Sequence, residues 1–173
     1  MTDRPAFDPG AFLVCDEGKR APKPRPLSTP EGLGDRLRTA AFAEWQAIAA
    51  FGWAAERFTD APAALRADWK RLVKDEVKHY NLIRQRMADL EVSPQERPVS
   101  LFLWESLVGC NSGEEFCLRI AAAEERGRQA AVKLVAFLGA RDPDTAAVFE
   151  EIARDEVEHV ALAATYYGWT PSV

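Results

Sequence analysis

The sequence predicts an all-α fold: a four-helix bundle of up-down-down-up order, with a long crossover between its second and third helices and an extended N-terminal arm. Three observations carry this expectation. Apolar residues recur at spacings of three and four through four separate stretches, as they do in helices with one buried face. One pentapeptide occurs twice, because Asp75-Glu76-Val77-Lys78-His79 and Asp155-Glu156-Val157-Glu158-His159 agree at four of five positions, 80 residues apart. The best turn signals, Thr59-Asp60-Ala61-Pro62 and Gly139-Ala140-Arg141-Asp142-Pro143, share that offset and divide each half into a helical hairpin.

Residues 1–29 hold five of the eleven prolines, and Gly18 to Pro26 carries four basic side chains and no acid. Spaced prolines favour extended polyproline-II backbone, so this stretch reads as an arm, solvated or draped over the bundle or a neighbouring subunit. Anion or nucleic-acid contact by Lys19, Arg20, Lys23 and Arg25 is the competing reading. Residues 30–173 form the bundle. The first helix opens at Thr29-Pro30-Glu31, a cap residue followed by proline in the first turn. Its inward stripe is Leu37, Ala41, Glu44, Ile48, Phe51, Ala55 and Phe58. The second helix spans about Pro62 to Glu91, with Leu65, Trp69, Leu72, Glu76, His79, Ile83, Met87 and Leu90 inward.

Pro94 and Pro98 then break the periodicity ahead of Leu101-Phe102-Leu103-Trp104. A hairpin needs only a few residues, whereas about 20 extended residues at roughly 3.3 Å each can run the length of a bundle. The stretch is therefore expected to be a crossover containing a short helix. The third helix starts at a capping box, Ser112-Gly113-Glu114-Glu115, and turns Cys117, Ile120, Glu124, Ala131, Leu134 and Leu138 inward. The fourth opens at Asp142-Pro143 and turns Phe149, Ile152, Glu156, His159, Ala163 and Tyr166 inward.

Composition removes several classes of function. A length of 173 residues suits one domain with a sizeable core. The net charge of −5 argues against general nucleic-acid binding. No apolar run approaches the roughly 18–20 residues of a membrane span, and no cationic start followed by an apolar core marks a secretory signal. Three cysteines, without a Cys-x-x-Cys pair, read as reduced thiols, and the expected compartment is cytoplasmic.

The polar members of the stripes carry the chemistry. His79 and His159 are the only histidines, each three residues after a glutamate. Glutamate at i and histidine at i+3 project from one helical face with Cβ atoms about 5–6 Å apart, within reach of one ion. Two Glu-x-x-His pairs with one glutamate from each of two further helices make a dinuclear carboxylate site. The 80-residue offset supplies the remaining pair, Glu44 and Glu124, each 32 residues before Glu76 and Glu156. Residues equidistant from a turn lie at equal height, so Glu44 faces Glu76 and Glu124 faces Glu156. Glu125 replaces Glu124 if the third helix is rotated.

The competing reading is four buried glutamates satisfied by hydrogen bonds or ion pairs. Each unpaired one costs several kcal/mol, and the stripes contain no lysine or arginine; Arg86 and Arg128 lie at their margins. Two divalent cations neutralise four carboxylates. Mixed carboxylate and imidazole donors suit iron first, then manganese, with zinc tolerated. Asp75 and Asp155 are expected to take the free ring N–H of the opposite histidine, Asp75 that of His159 and Asp155 that of His79. Tyr80, Tyr166 and Trp69, at helical spacing from the site, read as core.

The paired segments, with Glu44 and Glu124, resemble the ferritin-like diiron-carboxylate superfamily. Within it, Arg57-Phe58, Asp68-Trp69, Leu103-Trp104-Glu105, Glu124-Glu125-Arg126-Gly127 and Asp155 to Val160 are similar to a bacterial ferritin-like family known only as a domain of unknown function. The resemblance covers roughly residues 25 to 169 and implies a four-helix bundle with a dinuclear centre, but no substrate. Three relatives differ. Rubrerythrins add a four-cysteine iron domain, bacterioferritins place a haem-ligating methionine where this chain has Val77, and cage ferritins start their first helix near the N-terminus. The expected function is an oxidoreductase activating O₂ or peroxide toward a small molecule. A ferroxidase or iron store is the alternative, and a metal-stabilised scaffold without turnover is a third. The expected partners are that small molecule, O₂ or peroxide. No nucleic acid or membrane is expected, and a homodimer is allowed.

Overall fold

The computed structural model describes residues 5–171. The first four residues of the expected arm and the last two of the expected bundle segment lie outside the described residues. The fold is all-helical, with five helices in the order α1 (Pro30–Arg57), α2 (Ala63–Asp89), α3 (Phe102–Val108), α4 (Gly113–Leu138) and α5 (Pro143–Tyr167). Among the described residues there is no strand beyond one isolated parallel bridge, Val14 to Val99. No helix is long and apolar enough to cross a membrane.

Local chemistry sets the helix ends. Thr29 accepts a hydrogen bond from the Gly32 N–H and precedes Pro30, so α1 starts where a side-chain cap and a fixed φ coincide. Asp142 does the same for α5, accepting from the Thr145 N–H at 3.1 Å. At α4 the box is half formed. Ser112 Oγ accepts from the Glu115 N–H at 3.1 Å, but the Glu115 carboxylate turns to the Asn111 N–H at 2.8 Å. Gly139 ends α4 at φ 34°, a backbone region that disfavours a Cβ. The predicted Pro62–Glu91 helix is α2, trimmed at both ends.

Polar contacts between helices give their directions. Gly34, early in α1, lies against Val92 just beyond α2, and Arg66, early in α2, donates to the Ala55 carbonyl late in α1, so α1 and α2 are antiparallel. Along α2, Asp68, Arg71, Lys78 and Arg86 meet Tyr166, Glu158, Asp155 and Asp142 in turn, so α5 is antiparallel to α2. α4 pairs extensively with α5 through a short turn, whereas α1 and α4 barely touch. Residues 90–112 run between the two hairpins as a crossover with α3 inside it. Gln46, buried on α1, pins that crossover by donating to the Ser100 carbonyl and accepting from the Trp104 N–H.

The arm packs onto the helices. Phe12 is buried, Phe7 lies edge-on to Phe42, and the Trp45 indole donates to the Asp8 carbonyl. Of the four basic residues considered for anion contact, Arg25 is neutralised by Asp35 at 2.6 Å and Glu96 at 2.7 Å. The stripes are buried as expected with five exceptions: Glu44, Ile48, Glu124 and Tyr166 are half-buried and Leu90 is exposed. One buried cation went unforeseen. Arg38 is 1 % exposed, held by Asp35, Glu96 and the Ser93 carbonyl at the end of α1, far from the central acids. The three cysteines are free.

Candidate metal centre

Periodicity along four helices converges on one place. α2 supplies Glu76 and His79, α5 supplies Glu156 and His159, α1 supplies Glu44 and α4 supplies Glu124. Their donor atoms form two overlapping groups, Glu44, Glu76, His79, Glu156 and Glu76, Glu124, Glu156, His159, each with all donors within 4.8 Å of one another. Glu76 and Glu156 belong to both groups. The two imidazoles lie side by side, ring centroids 5.7 Å apart. All six expected residues are thus brought together. Glu125 is not among them, because its carboxylate is turned to Arg128 at 2.7 and 2.8 Å and to Gln129 at 2.9 Å.

Each histidine presents Nδ1 to the acids. His79 Nδ1 lies 3.4 Å from Glu156, 3.5 Å from Glu76 and 4.0 Å from Glu44. His159 Nδ1 lies 2.9 Å from Glu76 and 3.4 Å from Glu156. The opposite ring nitrogens face the aspartates in the crossed arrangement expected: His79 Nε2 is 3.3 Å from Asp155, and His159 Nε2 is 3.6 Å from Asp75. Lys78 and Arg71, on the solvent side, hold Asp155 and Asp75 in turn.

The Nδ1 contacts are not hydrogen bonds, whereas His79 Nε2 does pair with Asp155. Among the described residues, the buried side-chain polar atoms without a hydrogen-bond partner are Arg36 Nη1, both carboxylate oxygens of Glu76 and of Glu156, and Nδ1 of His79 and of His159. Buried polar atoms are almost always paired. Six orphans aimed at common points, rather than at each other, are the geometry of buried Glu/His groups positioned to bind a metal ion. The donor set, four carboxylates and two imidazole nitrogens, fits such an ion chemically as well.

Electrostatics agree. Burial pushes the Glu44 and Glu124 carboxyls well above the ordinary range, and the neighbouring acids push the same way. Burial acts to raise Glu76 and Glu156 too, but the imidazoles beside them prevail and both are lowered, Glu156 to about 2. Burial opposes charge on the histidines, yet Glu156 and Glu76 outweigh it, raising His79 to about 9 and His159 to about 10. Without metal, these directions favour protons on the imidazoles and on Glu44 and Glu124 over four bare carboxylates.

A cavity of about 500 Å³ opens between α1 and α4, where the helices stand apart. Small residues make the gap: Ala40, Ala43 and Ala47 on α1, and Ala123, Gly127 and Ala130 on α4. Pro24 and Leu27 of the arm and Leu103 of α3 complete its wall, and Glu44, Glu124 and Glu156 lie at its inner end. Neither the cavity nor Arg36 was anticipated from the sequence; the alanine-rich faces were the one visible signal. Of the expected core aromatics one is fully inside, and Tyr80 and Tyr166 are half-buried against the core. Trp69 is buried, Tyr80 packs on Trp45, and Tyr166 donates to Asp68 at 2.8 Å.

The fold and site thus define a helical protein whose interior holds a Glu/His cluster able to take a metal ion. The chain belongs to the family described as "Protein of unknown function (DUF455)", whose profile matches residues 2–172. Neither the comparison with curated proteins nor that with solved structures returns a match.

Proposed function

We propose that this protein is a ferritin-like four-helix bundle, of up-down-down-up order, that binds two divalent metal ions, iron in the first instance, and acts as an oxidoreductase on a small organic molecule with O₂ or peroxide. The observation that carries the reading is the pair of overlapping donor groups that share Glu76 and Glu156. Glu44, Glu76, His79 and Glu156 would hold one ion, and Glu76, Glu124, Glu156 and His159 would hold the other. When bound, a redox-active pair supplies the electrons that O₂ or peroxide reduction requires. Asp155 and Asp75 would hold the proton on Nε2 of each histidine when metal binds, leaving Nδ1 as the inward donor. The small residues of α1 and α4 leave space for a reactant beside Glu44 and Glu124. A water molecule takes about 30 Å³, so a chamber of about 500 Å³ is far larger than O₂ or Fe²⁺ needs. This favours an organic substrate over iron as the substrate.

Stopped-flow absorbance of reduced protein at increasing iron-to-chain ratios tests the reading. With O₂ or peroxide the amplitude is expected to saturate at about two iron ions per chain, as in a dinuclear site, and the oxidised metal should stay bound and be reducible again. Amplitude growing far beyond that ratio, with mineral accumulating, would convert the assignment to a ferroxidase. Failure to bind metal at all would end both.

A further inference from the structure

We infer that the chamber between α1 and α4 takes an amphiphilic carboxylate, with its apolar body lying among the alanines and its carboxylate held at the outer end by Arg36. This deepens the oxidoreductase reading and rests on it for the role of the chamber. Arg36 and Lys133 are the two cations lining a wall that is otherwise almost wholly apolar, apart from Glu44, Glu124 and Glu156 at the inner end. Arg36 Nη1 is buried and has no hydrogen-bond partner among the described residues. Such a donor is costly unless something accepts from it. The planar guanidinium fork matches a carboxylate better than any neutral acceptor. Lys133 is exposed at the same end and adds a second positive charge.

The positions also set the orientation. Arg36 precedes Glu44 by eight residues, about 12 Å along the helix. Lys133 follows Glu124 by nine residues, about 13.5 Å along an antiparallel helix, and so lies at the Arg36 end. An anion is drawn to the cation end, where Arg36 and Lys133 line the chamber. The apolar tail therefore points at Glu44 and Glu124, the carbon to be oxidised lies near the tail's far end, and the volume is that of a small-molecule site.

Calorimetric titration of the full chain with decanoate and decan-1-ol, metal-free and zinc-loaded, tests this. Decanoate should bind at one per chain, and Arg36→Met should weaken it at least about tenfold, the low end for losing a hydrogen bond to a charged group. The same variant should leave decanol binding unchanged. Arg36→Lys should recover part of the decanoate affinity, and Ala43→Phe, which fills the chamber, should abolish both. Equal response of acid and alcohol to Arg36→Met, or no decanoate binding to wild type, overturns the inference. Zinc per chain, measured on the same samples, separates the two readings. Two zinc ions with Arg36-independent decanoate binding sinks the ligand class alone. Arg36-dependent decanoate binding with no zinc sinks the metal centre alone.

Discussion

His79 and His159 are bifunctional residues: one nitrogen of each faces the acids and the other faces an aspartate across the α2–α5 seam. Replacing either histidine by alanine should therefore remove metal without removing the fold, since the apolar stripes above and below the site are untouched. Circular dichroism should show wild-type helicity, while the melting temperature loses its response to added metal. Unfolding of the variant in chelator, with wild-type apoprotein still folded, would mean that the histidines are structural. Asp155→Asn acts one shell further out. It should weaken metal binding by about tenfold to a hundredfold, the usual cost of disturbing a histidine's outer partner, as read by chelator competition. An unchanged affinity would leave Asp155 its partners Lys78 at 2.8 Å and Arg154 at 3.6 Å.

At the level of elements, the entry to α1 ties the arm, the crossover and the helix together through one carboxylate. Asp35 accepts from Arg25, Arg38 and Arg97 and also from the Arg25 N–H. Burial acts to raise its pKa, but these partners prevail and hold it well below the ordinary range. Asp35→Ala would leave the buried Arg38 without its adjacent carboxylate. Losing one partner of a buried pair costs about 3–5 kcal/mol, so urea unfolding should show a loss of that order. A change within about 0.5 kcal/mol, typical of a surface site, would show that Glu96 and the Ser93 carbonyl suffice. Gly32 serves the same junction by close approach. A Cβ there would sit 1.8 Å from the Pro26 carbonyl oxygen, so any larger residue must displace the arm that carries Pro24 and Leu27 over the chamber.

Across the whole molecule the proposed centre is expected to exchange protons for metal. The pKa directions favour protons on Glu44, Glu124, His79 and His159 in the metal-free site, and on the reading proposed above two divalent ions would offset the four carboxylates instead. Ligands must be deprotonated to bind, so loading near neutral pH should release as many as four protons. Calorimetry in buffers of differing ionisation enthalpy would count them, and a value near zero would refute the exchange.

The same shifts set the stability of the metal-free protein. Glu44 and Glu124 rise above their ordinary 4.5, and the histidines rise from 6.5 to about 9 and about 10. In each window the folded state binds more protons than the unfolded state, so stability falls as pH rises. Glu76 and Glu156 act oppositely, adding stability that is lost as pH falls below 4.5, through about 2 for Glu156. Apoprotein should therefore melt at lower temperature at pH 9 than at pH 6, and metal should flatten the difference. A melting temperature that rises over this interval without metal would contradict the assignment.

The sequence by itself determined the helices, their turns and the six central residues, because helical periodicity and a repeated motif are properties of neighbours along the chain. A glutamate inside an apolar stripe can be recognised without coordinates, and so can a helix cap such as Thr29 or Asp142. Only the tertiary structure decided what holds each aspartate from the solvent side, Lys78 for Asp155 and Arg71 for Asp75, and what occupies the Glu125 carboxylate, namely Arg128 and Gln129. It alone decided that α1 and α4 part to leave a chamber with Arg36 at one end. Ala40, Ala43 and Ala47 read equally well as close packing or as empty space. What separates the two is the distance to the facing helix, which the crossover and the arm impose from far along the chain.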